Sequence, residues 1–122
     1  RVLFRSTPDF DPAAIIRLRR LGNAAFVREM IDLFNQLAAQ KIQLANQALA
    51  AGDLTALANA VHPLKSSSGG VGAATMFELA TRIEELSRRG ETAPLPALVT
   101  ELDAAFSRVG PLLQSARATI PP

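Results

Sequence analysis

The chain holds one histidine, His62, in the stretch Val61-His62-Pro63-Leu64-Lys65-Ser66-Ser67-Ser68-Gly69-Gly70. A helix turns about 100° per residue, so Asn59, Lys65, Ser66 and Gly69 share the face of His62, at the i−3, i+3, i+4 and i+7 positions. An imidazole there stands among small and polar groups, with an ammonium one turn further on. A neutral ring nitrogen is a nucleophile and a proton carrier. A nearby lysine can stabilise a phosphate as a mobile point charge. The setting suits a phosphorylated imidazole, and Ser66 and Gly69 leave room for another protein to come close. A lone histidine on a helix is more often a solvated surface residue, so this spacing needs independent support.

Other chemistries find little in the sequence. There is no cysteine, which excludes disulfides and thiolate metal sites and allows a reducing compartment. A single histidine excludes a multi-histidine metal site. The glycines at Gly69, Gly70 and Gly72 are not followed by Gly-Lys-Ser/Thr and so form no P-loop. Glu84 and Glu85 are adjacent and point apart on a helix, leaving no paired acid–base set. Lys and Arg total 13 against 11 Asp and Glu, and the longest basic cluster is Arg17, Arg19 and Arg20. A nucleic-acid footprint is therefore not expected, and without Trp or Tyr the chain lacks the best stacking platforms. No apolar run is long enough to span a membrane, and no signal-peptide pattern is present. The chain begins at Arg1 rather than Met, as expected of a fragment or processed chain.

The elements that must position His62 read as helices throughout, in a single domain over residues 1–122. Residues 1–10 are expected to be an extended lead-in. Asp11 followed by Pro12 starts a short helix that stops at Gly22. Asn23 caps a long second helix to about Ala50, with Phe26, Met30, Leu33, Leu37 and Leu44 on one stripe. Gly52 stops it and Asp53 caps the next. That third helix, over about 53–70, buries Leu54, Leu57, Val61, Leu64 and Val71, with Ser68 filling the missing step, and turns His62 outward. Gly69, Gly70 and Gly72 then permit a reversal. A fourth helix carries Met76, Leu79, Ile83 and Leu86 and closes on Arg88, Arg89 and Gly90. The last carries Leu95, Leu98, Leu102, Phe106 and Val109, and Gly110-Pro111 should end or kink it. The expected fold is all-α, an antiparallel four-helix bundle with an additional short N-terminal helix.

The segment from Val61 to Ala73 resembles the signature of the histidine-containing phosphotransfer (HPt) family. In words it is His-x-Leu-Lys, three small residues, three further residues, Gly and then Ala. The family's downstream steps are matched by Met76, Leu79, Ala80, Ile83, Glu84 and Arg88. The resemblance is strongest over residues 57–89 and extends loosely along the chain through the order of the helices. It implies that His62 is the phosphoacceptor, that Lys65 and Arg88 assist phosphate, and that Glu84 orients the histidine. Asn59, Ser66 and Gly69 would then form the docking face. At Arg88 a solvated cation at the helix C-terminus is an equal reading.

Two departures stand out. Ser66 occupies a place where the family more often has glycine. Pro63 removes a backbone donor and crowds the Asn59 carbonyl, so the His helix either kinks or restarts there; the unbroken stripe favours one kinked helix. The resemblance further implies a cytoplasmic, monomeric phosphocarrier with no turnover of its own and no cofactor or metal in this chain. Its partners would be the receiver domains of response regulators and of a hybrid histidine kinase, with Mg²⁺ in the receiver. Two rival readings are an adaptor bundle in which His62 is never phosphorylated, and a metal-free helical enzyme.

Overall fold

The computed structural model describes residues 8–120. Five helices follow in order among them: α1 (Ala13–Leu21), α2 (Ala24–Ala51), α3 (Leu54–Val71), α4 (Ala74–Arg88) and α5 (Leu95–Thr119). Helices α2 to α5 form a closed ring in which α2 packs on α3, α3 on α4, α4 on α5 and α5 back on α2. Helix α1 lies against α2 and α3. This is the all-α bundle with a short leading helix that the hydrophobic pattern predicts.

Local chemistry sets most boundaries. The Asn23 side chain accepts from Phe26 N–H at 2.9 Å, and Asp53 accepts from Ala56 N–H at 3.0 Å, satisfying N–H groups that lack helical partners. Asp11 accepts from Ala13 N–H at 3.0 Å at the start of α1. Gly52 and Gly72 end α2 and α3 in the left-handed region, at φ 68° and 82°.

Residues 1–7 of the expected lead-in lie outside the described residues. Residues 8–12 strap the α3–α4 turn rather than merely preceding it. Asp11 N–H donates to Gly72 O at 2.8 Å, Ala74 N–H to Asp9 O at 3.1 Å, and the Thr75 hydroxyl to Pro8 O at 2.9 Å. Phe10 is buried in the core, and Arg108 of α5 grips the Asp9 carboxylate with two hydrogen bonds.

Four expectations need correction. The inward stripe of α2 is Val27, Ile31, Phe34, Ala38, Ile42, Ala45 and Ala48. The stripe of Phe26, Met30, Leu33, Leu37 and Leu44 runs along its flank, with Leu33 and Leu44 exposed. The core face mixes Ala38, Ala45 and Ala48 with Ile31, Phe34 and Ile42, so it is no more apolar by composition than the flanking stripe. Second, α5 does not end at Gly110-Pro111 but continues to Thr119, because Val109, Leu113 and Ala116 keep one buried face across the proline. Third, Gly69 and Gly70 remain helical and Gly72 alone makes the reversal. Fourth, on α4 Leu79 and Leu86 are only half-buried, while Ala80, Glu84 and Ser87 join Met76 and Ile83 inside.

Candidate functional site

Helix α3 runs unbroken through Pro63, so the restart considered for this position does not occur. Leu57, Val61, Leu64 and Val71 anchor it to the core on both sides of the proline. His62 is thereby turned to the surface, with its side chain 66% exposed.

Packing of α3 on α4 brings Glu84 to the imidazole. Glu84 is largely buried, and three side chains converge on its carboxylate. His62 Nδ1 lies 2.7 Å from Oε2, Lys65 Nζ donates to Oε1 at 2.9 Å, and Arg88 Nη2 donates to Oε2 at 3.0 Å. Arg88 also reaches Asn59 Oδ1 at 3.4 Å. Burial alone would raise the Glu84 carboxyl. The hydrogen bonds from Lys65, Arg88 and His62, with the Lys65 charge, outweigh it and hold the group at about 2.

An ionised carboxylate can only accept, so it holds the proton of a neutral imidazole on Nδ1 and leaves the Nε2 lone pair outward. The arrangement therefore presents a fixed nitrogen nucleophile at the surface. It carries both cations on the α4 side of the ring. Among the described residues no group of three or more His, Cys, Asp or Glu could hold a metal ion.

A family model, the Hpt domain, matches residues 29–110, two thirds of the chain and all of this site. The chain belongs to the Hpt family. Two solved structures resemble this Hpt domain throughout. Histidine-containing phosphotransfer protein B (HptB) from Pseudomonas aeruginosa PAO1 is 27% identical with a TM-score of 0.86, covering 93% of this chain and 97% of its own. The HPT domain of an Hpt sensor hybrid histidine kinase from Shewanella is 16% identical with a TM-score of 0.79, covering 94% and 98%. The latter likeness speaks for the fold alone. No curated protein matches the sequence. The family is one of phosphotransfer modules in two-component signalling rather than of catalytic enzymes. No helix among the described residues is long and apolar enough to cross a membrane.

Of the remaining residues singled out by sequence, Ser66 and Asn59 border grooves on the α2 side of the Hpt domain's histidine, whereas Gly69 faces Phe77 of α4. Ser66 is exposed and lines an apolar groove with Leu18, Met30, Leu33, Leu37 and Val71. Gly69 is exposed, and a Cβ there would make only ordinary contact with Phe77, at 3.6 Å. Asn59 is exposed and borders a second groove shared with Lys41, Leu44, Ala56 and Ala60. Sequence reasoning missed these grooves, because the flank of α2 reads as its core face. The signal was present in the parallel 3,4 spacing of Val27, Ile31, Phe34, Ala38, Ile42 and Ala45, a second stripe that includes the small residues.

Proposed function

We infer that the domain relays a phosphoryl group on His62 between receiver-domain aspartates in a multistep two-component phosphorelay. The observation that carries this reading is the pairing of an exposed imidazole with a buried carboxylate held ionised: Nδ1 is committed to Glu84 and Nε2 faces outward. In the transfer the Nε2 lone pair attacks the phosphorus of an aspartyl phosphate in line. The P–N bond forms as the P–O bond to the carboxylate breaks, and the aspartate leaves with the bonding pair. The Nδ1 proton stays in place, and Glu84 offsets the positive charge that the ring gains.

Lys65 assists from one turn away, since its ammonium has three donors and spends one on Glu84. Arg88 adds positive charge from the same side while it braces Glu84 and Asn59. Asn59, Ser66, Gly69 and the apolar groove beside Ser66 form the face on which the receiver seats. Mg²⁺ belongs to the receiver's half of the site in this reading, where it would neutralise the phosphoryl oxygens. The complete active site exists only in the complex, so the domain alone has no turnover.

The test mixes this chain with phosphorylated receiver domains of response regulators and of a hybrid kinase, in the presence of Mg²⁺. Wild type should acquire acid-labile, base-stable phosphate. His62→Gln should keep its helical circular dichroism and acquire none. Label on His62→Gln would falsify the assignment of the acceptor. A stable complex without label on wild type would point to an adaptor instead.

A further inference from the structure

Both cations beside the imidazole, Lys65 and Arg88, donate to Glu84 and so lie on its α4 side. The α2 side carries a different one. Lys41 is half-buried on α2 and makes no hydrogen bond or ion pair among the described residues. It interrupts the apolar flank of α2 between Leu37 and Leu44.

The two grooves fix its level along α3. Leu37 lines one groove with Ser66 and Ser67, while Lys41 and Leu44 line the other with Ala56, Asn59 and Ala60. With α2 and α3 antiparallel, Lys41 stands opposite the turn between Ala60 and Ser67, the turn that carries His62 and Pro63. Packed helices lie roughly 8–10 Å apart, a gap that the four-carbon stem of a lysine largely spans. The methylenes cover apolar wall and the ammonium reaches the mouth of the groove.

No described residue uses that charge. The acid on the same groove is Asp53, whose carboxylate caps Ala56 N–H. It lies at the far end, about 16 Å away along α2 at 1.5 Å per residue. An unpaired cation beside a nucleophile, in a groove that adjoins the docking face, fits an anionic partner surface. A receiver site that holds Mg²⁺ next to its aspartate must itself be lined by carboxylates.

We propose that Lys41 is a docking residue, pairing with the acidic rim of the receiver's phosphorylation site from the α2 side while Lys65 acts from the α4 side. This rests on the reading of His62 as the phosphoacceptor. The two lysines bracket the imidazole, so an incoming acidic site is guided onto Nε2 rather than past it. Charge at a rim acts mainly on encounter and on salt dependence.

The experiment measures kcat/KM for transfer from a phosphorylated receiver at several ionic strengths, beside labelling by phosphoramidate. Lys41→Glu should lower receiver transfer about tenfold through KM and flatten its salt dependence. Lys41→Arg should remain near wild type, and thermal midpoints should not move. Phosphoramidate labelling should be unchanged in both variants, because that donor needs no docking. Receiver transfer unchanged in Lys41→Glu overturns the proposal. So does an equal loss with both donors, which would place Lys41 on the chemistry of His62 itself. Wild type that takes phosphate from phosphoramidate but from no receiver rejects the relay reading and the docking role with it.

Discussion

Glu84 Oε2 lies 2.7 Å from His62 Nδ1, a contact between residues 22 positions apart on neighbouring helices. It fixes both which nitrogen carries the proton and where the other nitrogen points. Glu84→Gln keeps an oxygen acceptor for Nδ1 and loses the charge, whereas Glu84→Ala loses both. Transfer to His62 should fall in the order wild type, Gln, Ala, with Ala slower by about tenfold, or 1.4 kcal/mol of activation free energy. Equal rates for wild type and Ala would show that the ring needs no orienting partner.

The same carboxylate links stability to pH. Folded Glu84 is held at about 2, against 4.5 for an ordinary glutamate. Below the ordinary value the unfolded chain takes up a proton that the folded chain does not. The stabilisation is therefore fully present above about pH 4.5 and fades as pH falls toward 2. The shift sets an upper limit on the order of 3 kcal/mol, which solvent around the partly exposed Lys65 and Arg88 reduces. In urea unfolding, the advantage of wild type over Glu84→Gln should shrink across that window. An advantage that is the same at about pH 3 and pH 6 would mean that Glu84 stabilises by packing alone.

Caps and turns were legible in the sequence because their chemistry is local. Asn23, Gly52 and Asp53 act on their own helix ends whatever packs nearby. The core face of α2 was not, because burial depends on which stripe a neighbour covers, and Ala38, Ala45 and Ala48 dilute Val27, Ile31, Phe34 and Ile42 on the face that is covered. Pro111 misled for the same reason: the loss of one backbone donor is outweighed by the buried stripe through Val109 and Leu113. The face of His62 could be read from α3 alone. The convergence of Lys65, Arg88 and His62 on one buried carboxylate needs the α3–α4 register, which the strapped turn at Gly72 sets.

Gly72 is the most restrictive glycine of that turn. At φ 82° a Cβ would stand 2.2 Å from Asp11 O, a backbone atom whose residue also donates to Gly72 O. Gly72→Ala should destabilise the domain by roughly 2–4 kcal/mol, from strain and the loosened strap together. Gly110 is the contrasting case: it lies within α5 with open space around its Cβ position. Gly110→Ala should stabilise by up to about 1 kcal/mol. Thermal midpoints that move in the same direction for both variants would refute this account of the turn.

Ser68 fills a position in the buried stripe of α3 and is fully buried, with no hydrogen-bond partner for its hydroxyl among the described residues. Burying that oxygen unpaired costs free energy that a methyl group would not. Ser68→Ala should raise stability by about 1 kcal/mol and leave phosphate acceptance unchanged. A destabilised Ser68→Ala would mean that the hydroxyl has a partner, such as a bound water, which matters to the fold.

Ser66 tests the docking face directly. It lies one turn beyond His62, is exposed, and forms part of the apolar groove with Met30, Leu33 and Leu37. In the proposed relay, a receiver that brings its aspartate into line with Nε2 would pass over this residue. Ser66→Trp adds a ring that a preformed interface cannot absorb, while solvent and the open groove accommodate it with little change in stability. Transfer from a phosphorylated receiver should fall by more than about tenfold, whereas labelling by phosphoramidate should persist. The small donor shows that the imidazole and its Glu84 partner remain intact, so the loss is one of access. Retention of both activities would mean that the partner approaches from the α4 side, over Lys65 and Arg88, and that the groove on α2 serves another purpose.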